Sequence, residues 1–175
     1  MRLRSMTAGA AMLLATAFGV PAAASATSSD SIPWQPFTSA GWTDAPGAVC
    51  TFGVTAAIVR QNEQFRTLES YPNGDPELQE FRGPLFIQYT NMSTGASVVR
   101  DLSGYSWFSF GTDGSIEVSV PKPAHFGLGV HVGNAGFAAG EWVLSGKFGV
   151  AVSSTGEISV QLIQATAENL CQTLS

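Results

Sequence analysis

Residues 81–104 constrain the possible fold more than any other segment, because they have the sequence of one complete β-hairpin. Residues 85–89 form an apolar, β-favouring run, Asn91 to Gly95 supply turn residues, and residues 96–102 return to β-favouring side chains. Apolar strands joined by a short polar turn pair with each other in antiparallel fashion. This segment therefore predicts an antiparallel sheet.

The same pattern continues on both sides of this hairpin. Residues 51–59 predict a first strand, and residues 65–71 predict a second one, which turns at residues 72–76 and returns as a protruding hairpin. Residues 105–120 predict another hairpin, with its turn at residues 111–114. Short polar turns thus separate the predicted strands.

Two prolines and two glycines interrupt the pattern after this second hairpin. Pro121 and Pro123 are predicted to end the strand, because proline cannot donate a hydrogen bond to a sheet. A new strand is predicted over residues 125–132, with its large apolar side chains toward the core. Gly127 and Gly129 alternate with these core positions, which predicts a bend or a close approach of the backbone to another group.

Two long strands at residues 141–153 and 157–166 bring the count to between seven and nine, without a convincing helix pattern. The prediction is a single all-β, antiparallel domain over residues 50–175. We expect a small closed barrel of about eight strands, because closure removes unprotected sheet edges, and a two-sheet β-sandwich is the alternative. Residues 27–49 are predicted to form an irregular, Trp-containing arm, whose rings pack on the domain or contact a partner.

Residues 1–26 have the layout of a secretory signal peptide. Arg2 and Arg4 precede an apolar run over residues 8–20, and small residues lead to a predicted cleavage after Ala26. The apolar run is shorter than the ~20 residues that cross a bilayer, so no stable membrane anchor is expected. The protein is therefore predicted to be secreted to the extracellular space.

The charge of the chain argues against nucleic acid as a partner. Beyond the predicted signal peptide the chain keeps six basic and thirteen acidic residues, a formal charge of −7. Phosphate binding needs a basic patch, and the remaining lysines and arginines are scattered. Anionic membrane surfaces are disfavoured for the same reason.

The two cysteines, Cys50 and Cys171, predict one disulfide bond, because the count is even and export leads to an oxidising compartment. Closing so long a loop contributes roughly 4–5 kcal/mol in the chain-entropy treatment. The spacing is unlike that of a metal site, and the chain has no phosphate loop, dinucleotide fingerprint or nucleophile elbow. No cofactor, metal or catalytic residue is predicted.

The candidates for ligand binding are Tyr89, Arg100, Trp107, His125 and Trp142. The three aromatic rings have the chemistry to line a pocket for an apolar or ring-shaped ligand, although aromatic residues in strands also form plain core. Arg100 would suit an anionic group if its strand turns it inward, and would form a surface salt bridge if it points outward. His125 and His131 stand about 20 Å apart along a straight strand, so a metal ion shared by the two is not expected. His125 is predicted to lie on a surface or to line the interior.

Several motifs resemble those of a group of small secreted actinobacterial proteins, and the resemblance covers most of the chain from about Cys50 onward. The motifs are Tyr71-Pro72-Asn73-Gly74, residues 79–85, residues 90–95, residues 97–104, residues 136–140 and Glu168-Asn169-Leu170-Cys171. The resemblance implies secretion and a shared β fold. Because the group has no assigned activity, it implies no catalytic residue.

The sequence favours a secreted, non-catalytic β-barrel that binds either a small apolar molecule or an extracellular protein or glycan. Low charge density, many turns and the absence of a catalytic motif motivate this expectation. A small barrel enzyme of the cyclase or isomerase type is one alternative. An inhibitor of secreted hydrolases, with the hairpin at residues 65–81 as its inserting element, is the other.

Overall fold

The computed structural model describes residues 32–175, so the predicted signal peptide lies outside the described residues. Within this range the chain is all-β, as the sequence predicts. Its elements are β1 (Gln35–Phe37), β2 (Trp42–Asp44), β3 (Val54–Gln61), β4 (Glu63–Ser70), β5 (Pro76–Gly83), β6 (Leu85–Asn91), β7 (Ser97–Asp101), β8 (Gly104–Phe110), β9 (Ile116–Val130), β10 (Gly140–Val152), β11 (Ile158–Asn169) and the helical turn α1 (Leu170–Thr173).

The strands form two antiparallel sheets. The larger sheet has seven strands in the order β1-β4-β5-β8-β9-β10-β11, and the smaller has four in the order β2-β3-β6-β7. We expected one closed barrel of about eight strands, but the described strands do not close, and the sandwich alternative fits the two sheets better. Three-residue strands, β1 and β2, form one edge of each sheet, so little unpaired backbone is left at those two edges.

The predicted hairpins are present. Residues 81–104 contain β6 and β7, which pair with each other in the smaller sheet, and β8 pairs with the first part of β9. Strands β4 and β5 pair across the turn at residues 71–75. This last hairpin does not protrude, because β1 and β8 flank it within the larger sheet.

The prediction that Pro121 and Pro123 end a strand is wrong. Strand β9 continues to Val130, and both prolines fall where the register with β10 shifts, between the pairs Val120–Phe148 and Ala124–Gly146. A bulge leaves residues without ladder partners, so the missing N–H of proline is tolerated there. The strand bends as well as bulges. Along a straight strand, Val118 would lie about 26 Å from Phe126. Phe108 pairs opposite Val118, yet the rings of Phe108 and Phe126 lie 6.3 Å apart, so β9 must bend between these positions.

The domain has two apolar cores. The concave core lies on one face of the bent larger sheet and is built around Val118, Val120, Leu144 and Phe148. The inter-sheet core lies between the two sheets, and its buried members include Val54, Ala56, Ile87, Tyr89, Leu102 and Val143. The second half of β9 is therefore covered on both faces, with Phe126 in the concave core and Gly127 against the inter-sheet core.

The predicted disulfide bond is present. Cys50 and Cys171 are bonded, with their Cα atoms 5.4 Å apart. Cys50 precedes β3 and Cys171 lies in α1, so the bond joins a loop to the C-terminal turn rather than one strand to another. Leu170 and Leu174 of this turn are buried in the inter-sheet core.

The arm joins the two sheets. Strand β1 pairs with β4 in the larger sheet and β2 pairs with β3 in the smaller sheet, so residues 38–41, here called the strap, cross from one sheet to the other. Trp34 packs on the guanidinium groups of Arg66 and Arg82, at 4.5 and 3.9 Å from its ring centre. The arm was expected to be irregular. It contains the short strands β1 and β2 instead, because it adds an edge strand to each sheet.

Candidate functional site

An apolar pocket of about 310 Å³ lies where the strap crosses between the two sheets. Its walls come from the strap, from both sheets and from the bent part of β9. The lining residues with apolar side chains are Phe37, Ala40, Trp42, Phe81, Leu85, Ile87, Leu102, Phe108 and Phe126. We call this cavity the strap pocket.

Strand periodicity explains why the pocket exists. Ser106 and Phe108 are two residues apart on β8, so both side chains point to the same face, and the small serine leaves space beside the large ring. Gly127 likewise presents no side chain to the pocket. The ring of Phe108 packs 4.8 Å from that of Phe81, which fixes one wall.

Glu63 and Ser39 give the strap pocket one polar end. The Ser39 hydroxyl donates to a carboxylate oxygen of Glu63 over 2.6 Å. Burial raises the pKa of the Glu63 carboxyl above its ordinary value, and the hydrogen bond from Ser39 opposes that rise. Among residues 32–175, no Lys, Arg or His nitrogen lies within ion-pair distance of Glu63. The carboxyl group therefore faces an apolar cavity without a counter-ion from the described chain.

Hydrogen bonds hold the strap over this polar end. The backbone N–H of Ser39 donates to the side-chain oxygen of Gln61 over 2.8 Å, and the Gln61 amide donates back to the Ser39 carbonyl over 3.4 Å. Together with the Ser39–Glu63 bond, these contacts fix the strap to the connection between β3 and β4. Phe37 anchors its other side against the rings of Phe65 and Phe81.

Tyr89, one of the predicted binding residues, is fully buried beside the strap pocket but does not line it. Its ring packs edge-on against Trp42, which does line the pocket, with 6.0 Å between ring centres. Its hydroxyl has no hydrogen-bond partner among the described residues. Burial, with a further contribution from the charge of Glu141, raises the pKa of Tyr89 above its usual range.

Glu141 is a second buried polar group next to Tyr89. It is 0% exposed, and neither of its carboxyl oxygens has a hydrogen-bond partner within the described part of the chain. Burial is the main cause that raises the pKa of Glu141 to about 8, and the neighbouring charge of Asp44 raises it further. The Trp42 indole lowers this pKa, and its effect is the smallest of the three. The carboxyl group is therefore protonated at neutral pH.

The alternating glycines of β9 make room for these two polar side chains. A Cβ atom at Gly127 would lie 2.8 Å from the Tyr89 hydroxyl oxygen, and one at Gly129 would lie 3.2 Å from a Glu141 carboxyl oxygen. The first distance is shorter than a non-bonded contact allows. The predicted close approach at these glycines is therefore confirmed, and the approaching side chains include Tyr89 of β6 and Glu141 of β10.

Arg100 lies away from the strap pocket and forms an ion pair. Its guanidinium group donates to both carboxylate oxygens of Glu168, over 2.8 and 2.6 Å. The hydrogen bonds with Glu168 raise the pKa of Arg100, and those with Arg100 lower the pKa of Glu168. Both side chains are about one third exposed, so the surface salt-bridge alternative describes this residue.

The other three predicted binding residues occupy three separate places. Trp107 points to the face opposite Phe108 and packs edge-on against Tyr105. His125 is exposed, and its Nδ1 lies 2.8 Å from the Ser145 hydroxyl oxygen on β10. Trp142 packs on Phe137 in the loop before β10 and donates its indole N–H to the carbonyl of Ala138.

The structure thus does not bring the five predicted residues into one pocket, and a role for any of them in binding stays a prediction. Sequence reasoning missed Glu63, which lies in the most polar part of the chain. One signal was present, because Glu63 and Phe65 are two residues apart and a strand turns both to the same face. Trp42 was seen only as part of the arm.

Within residues 32–175, no three His, Cys, Asp or Glu side chains are placed to hold a metal ion together. No helix in the same range is long and apolar enough to cross a membrane. The disulfide bond is typical of an oxidising compartment.

These features define a disulfide-bonded protein of two antiparallel β-sheets with an apolar pocket between them. Comparison of the chain with protein-family models, curated proteins and solved structures found no match. The resemblance to small secreted actinobacterial proteins therefore stays an expectation from the sequence.

Proposed function

We propose that this chain is a secreted, non-catalytic protein that binds a small apolar molecule in the strap pocket. The observation that carries the proposal is the pocket itself, a cavity of about 310 Å³ walled mainly by aromatic and branched aliphatic side chains. Ligand sites in proteins are mostly apolar clefts of about 300–1,000 Å³ with a few polar groups. The strap pocket lies at the small end of that range, which suits a compound of one or two rings.

The position of the pocket supports the same proposal. It lies at an interface between two packed sheets, and residues from the strap cover it without filling it. Aromatic rings from different strands surround it, and such rings favour offset or edge-on contacts with a flat ligand. The Cys50–Cys171 bond and the predicted signal peptide fit a binding protein that works outside the cell.

The experiment uses a substitution that fills the pocket and measures binding of a neutral, fluorescent, two-ring probe, 2-naphthylmethanol. Ser106→Leu places a branched side chain in the cavity, because Ser106 lines it. Ser109→Leu is the matched control, since Ser109 lies on the same strand but on its other face. Both variants are first checked for an unchanged circular dichroism spectrum.

We expect wild type and Ser109→Leu to bind the probe alike, and Ser106→Leu to bind it at least about tenfold more weakly, since the added side chain occupies the space the ring needs. Equal binding by all three proteins would show that the probe lies elsewhere. Absence of binding by wild type at saturating probe would also contradict the proposal.

A further inference from the structure

We propose that the ligand of the strap pocket is a cationic amine with an apolar ring body, and that its ammonium group binds the Glu63 carboxylate. This inference rests on the proposed function and adds the chemical class of the ligand. It is carried by one acidic side chain that faces an apolar cavity and has no counter-ion there.

The first argument is the charge of the pocket lining. Glu63 is the charged residue in the lining, and no Lys, Arg or His from the described chain lines the strap pocket. A partly buried carboxylate is unfavourable unless a cation or several hydrogen bonds compensate it. Ser39 supplies one hydrogen bond, so a cation from the ligand would complete the site.

The basic side chains of a neighbouring cavity do not supply that cation. Arg82 and His125 line a smaller cavity that also contacts Glu63. The Arg82 guanidinium group, however, donates to Gln64 and packs on the Trp34 ring. His125 is hydrogen-bonded to Ser145.

The second argument is the aromatic wall. Phe37, Trp42 and Phe81 line the pocket together with Glu63, and the faces of such rings attract cations. An ammonium group beside these rings would keep favourable electrostatic contacts after it loses water. An anionic ligand of the same size would meet the Glu63 charge, and no basic group in the pocket would balance it.

The mature chain also favours a cation at longer range. Beyond the predicted signal peptide it carries six basic and thirteen acidic residues, so its field attracts positive ligands and repels negative ones. This effect is weak at physiological salt and adds to the contact with Glu63 rather than replacing it.

The experiment compares three probes of one shape on the mature, disulfide-bonded chain by isothermal titration calorimetry at pH 7.5. The probes are 2-naphthylmethylamine, 2-naphthylmethanol and 2-naphthoate, which are cationic, neutral and anionic. Each is titrated into wild type, Glu63→Gln, Ser106→Leu and the control Glu69→Gln, which removes the same charge from an exposed position of the same strand.

We expect the amine to bind wild type at least about tenfold more tightly than the alcohol, and the acid to bind most weakly, because a hydrogen bond to a charged partner exceeds a neutral one. Glu63→Gln should remove the advantage of the amine over the alcohol. Glu69→Gln should keep the wild-type order of the three probes.

The outcomes separate this inference from the function on which it rests. Equal affinities of the three probes in wild type, all weakened by Ser106→Leu, would overturn the choice of a cation and leave the pocket as a binding site. Preference for the acid would also overturn it. If none of the probes binds, or if Ser106→Leu changes nothing, both proposals are wrong.

Discussion

Replacing Glu141 by glutamine is expected to stabilise the fold at neutral and alkaline pH. The Glu141 carboxyl group is fully buried without a hydrogen-bond partner among residues 32–175, and its pKa rises from 4.5 to about 8. The folded protein therefore keeps this proton up to about pH 8, whereas the unfolded chain loses it near pH 4.5. Between these two values, rising pH favours the unfolded state.

The magnitude follows from the two pKa values. Each pH unit between them changes the free energy of unfolding by about 1.4 kcal/mol, so ionisation of Glu141 opposes folding by on the order of 5 kcal/mol at pH 8 and above. Below pH 4.5 the carboxyl group is neutral in both states, and the contribution vanishes. Glutamine cannot ionise, so the variant lacks this loss of stability.

Urea denaturation of wild type and Glu141→Gln at pH 4.5, 6 and 8 measures the effect. The difference in free energy of unfolding should be small at pH 4.5 and should grow by several kcal/mol toward pH 8 in favour of the variant. Glu157→Gln, at an exposed turn position, is the matched control and should show no such trend. Parallel pH curves for wild type and Glu141→Gln would refute the reasoning.

Two more substitutions test other parts of the account. Tyr89→Phe removes a buried hydroxyl that has no partner in the described chain, so the free energy of unfolding in urea should stay equal or rise by about 1–3 kcal/mol; a loss of several kcal/mol would reveal a partner for that hydroxyl. Arg100→Ala breaks an ion pair that is about one third exposed, so it should lower the free energy of unfolding by less than about 1 kcal/mol and leave probe binding unchanged. A tenfold loss of probe binding would show that Arg100 contributes to the ligand site.

The local features of the fold could be predicted because they depend on neighbours in the sequence. Hairpins such as residues 81–104 and the turn at residues 111–114 follow from β propensity and turn residues a few positions apart. The Cys50–Cys171 bond followed from the cysteine count and the predicted export. These signals do not say how many sheets the hairpins form.

The path of β9 could not be predicted, because it depends on strands distant in the sequence. Pro121 and Pro123 end a strand by local rules, but here a bulge opposite β10 accommodates them and bends the strand. That bend brings Phe126 to Phe108 and creates the concave core. Whether a sheet bends over itself or closes into a barrel depends on such bends. No signal from neighbouring residues could therefore distinguish the expected barrel from a sandwich.

The strap pocket could not be predicted from the sequence for a related reason. Its lining comes from the arm, from both sheets and from the bent part of β9, and no two of these regions are joined by a sequence motif. Glu63 alternates with Phe65 on β4 and so shares its face, but it lies among the charged residues of a polar segment, and charged side chains are mostly exposed. Glu141 was read only as the start of a strand, and its burial depends on Gly129 of a different strand.

The most direct test of the strap pocket locates a bound probe by nuclear Overhauser contacts. Protein with ¹³C-labelled leucine and isoleucine methyl groups is saturated with 2-naphthylmethylamine and, separately, with 2-naphthylmethanol. The account predicts contacts from the naphthyl protons to the methyl groups of Leu85, Ile87 and Leu102, which line the pocket. Contacts confined to the exposed Leu162 and Ile163 on β11, or no contacts at saturation, would contradict it.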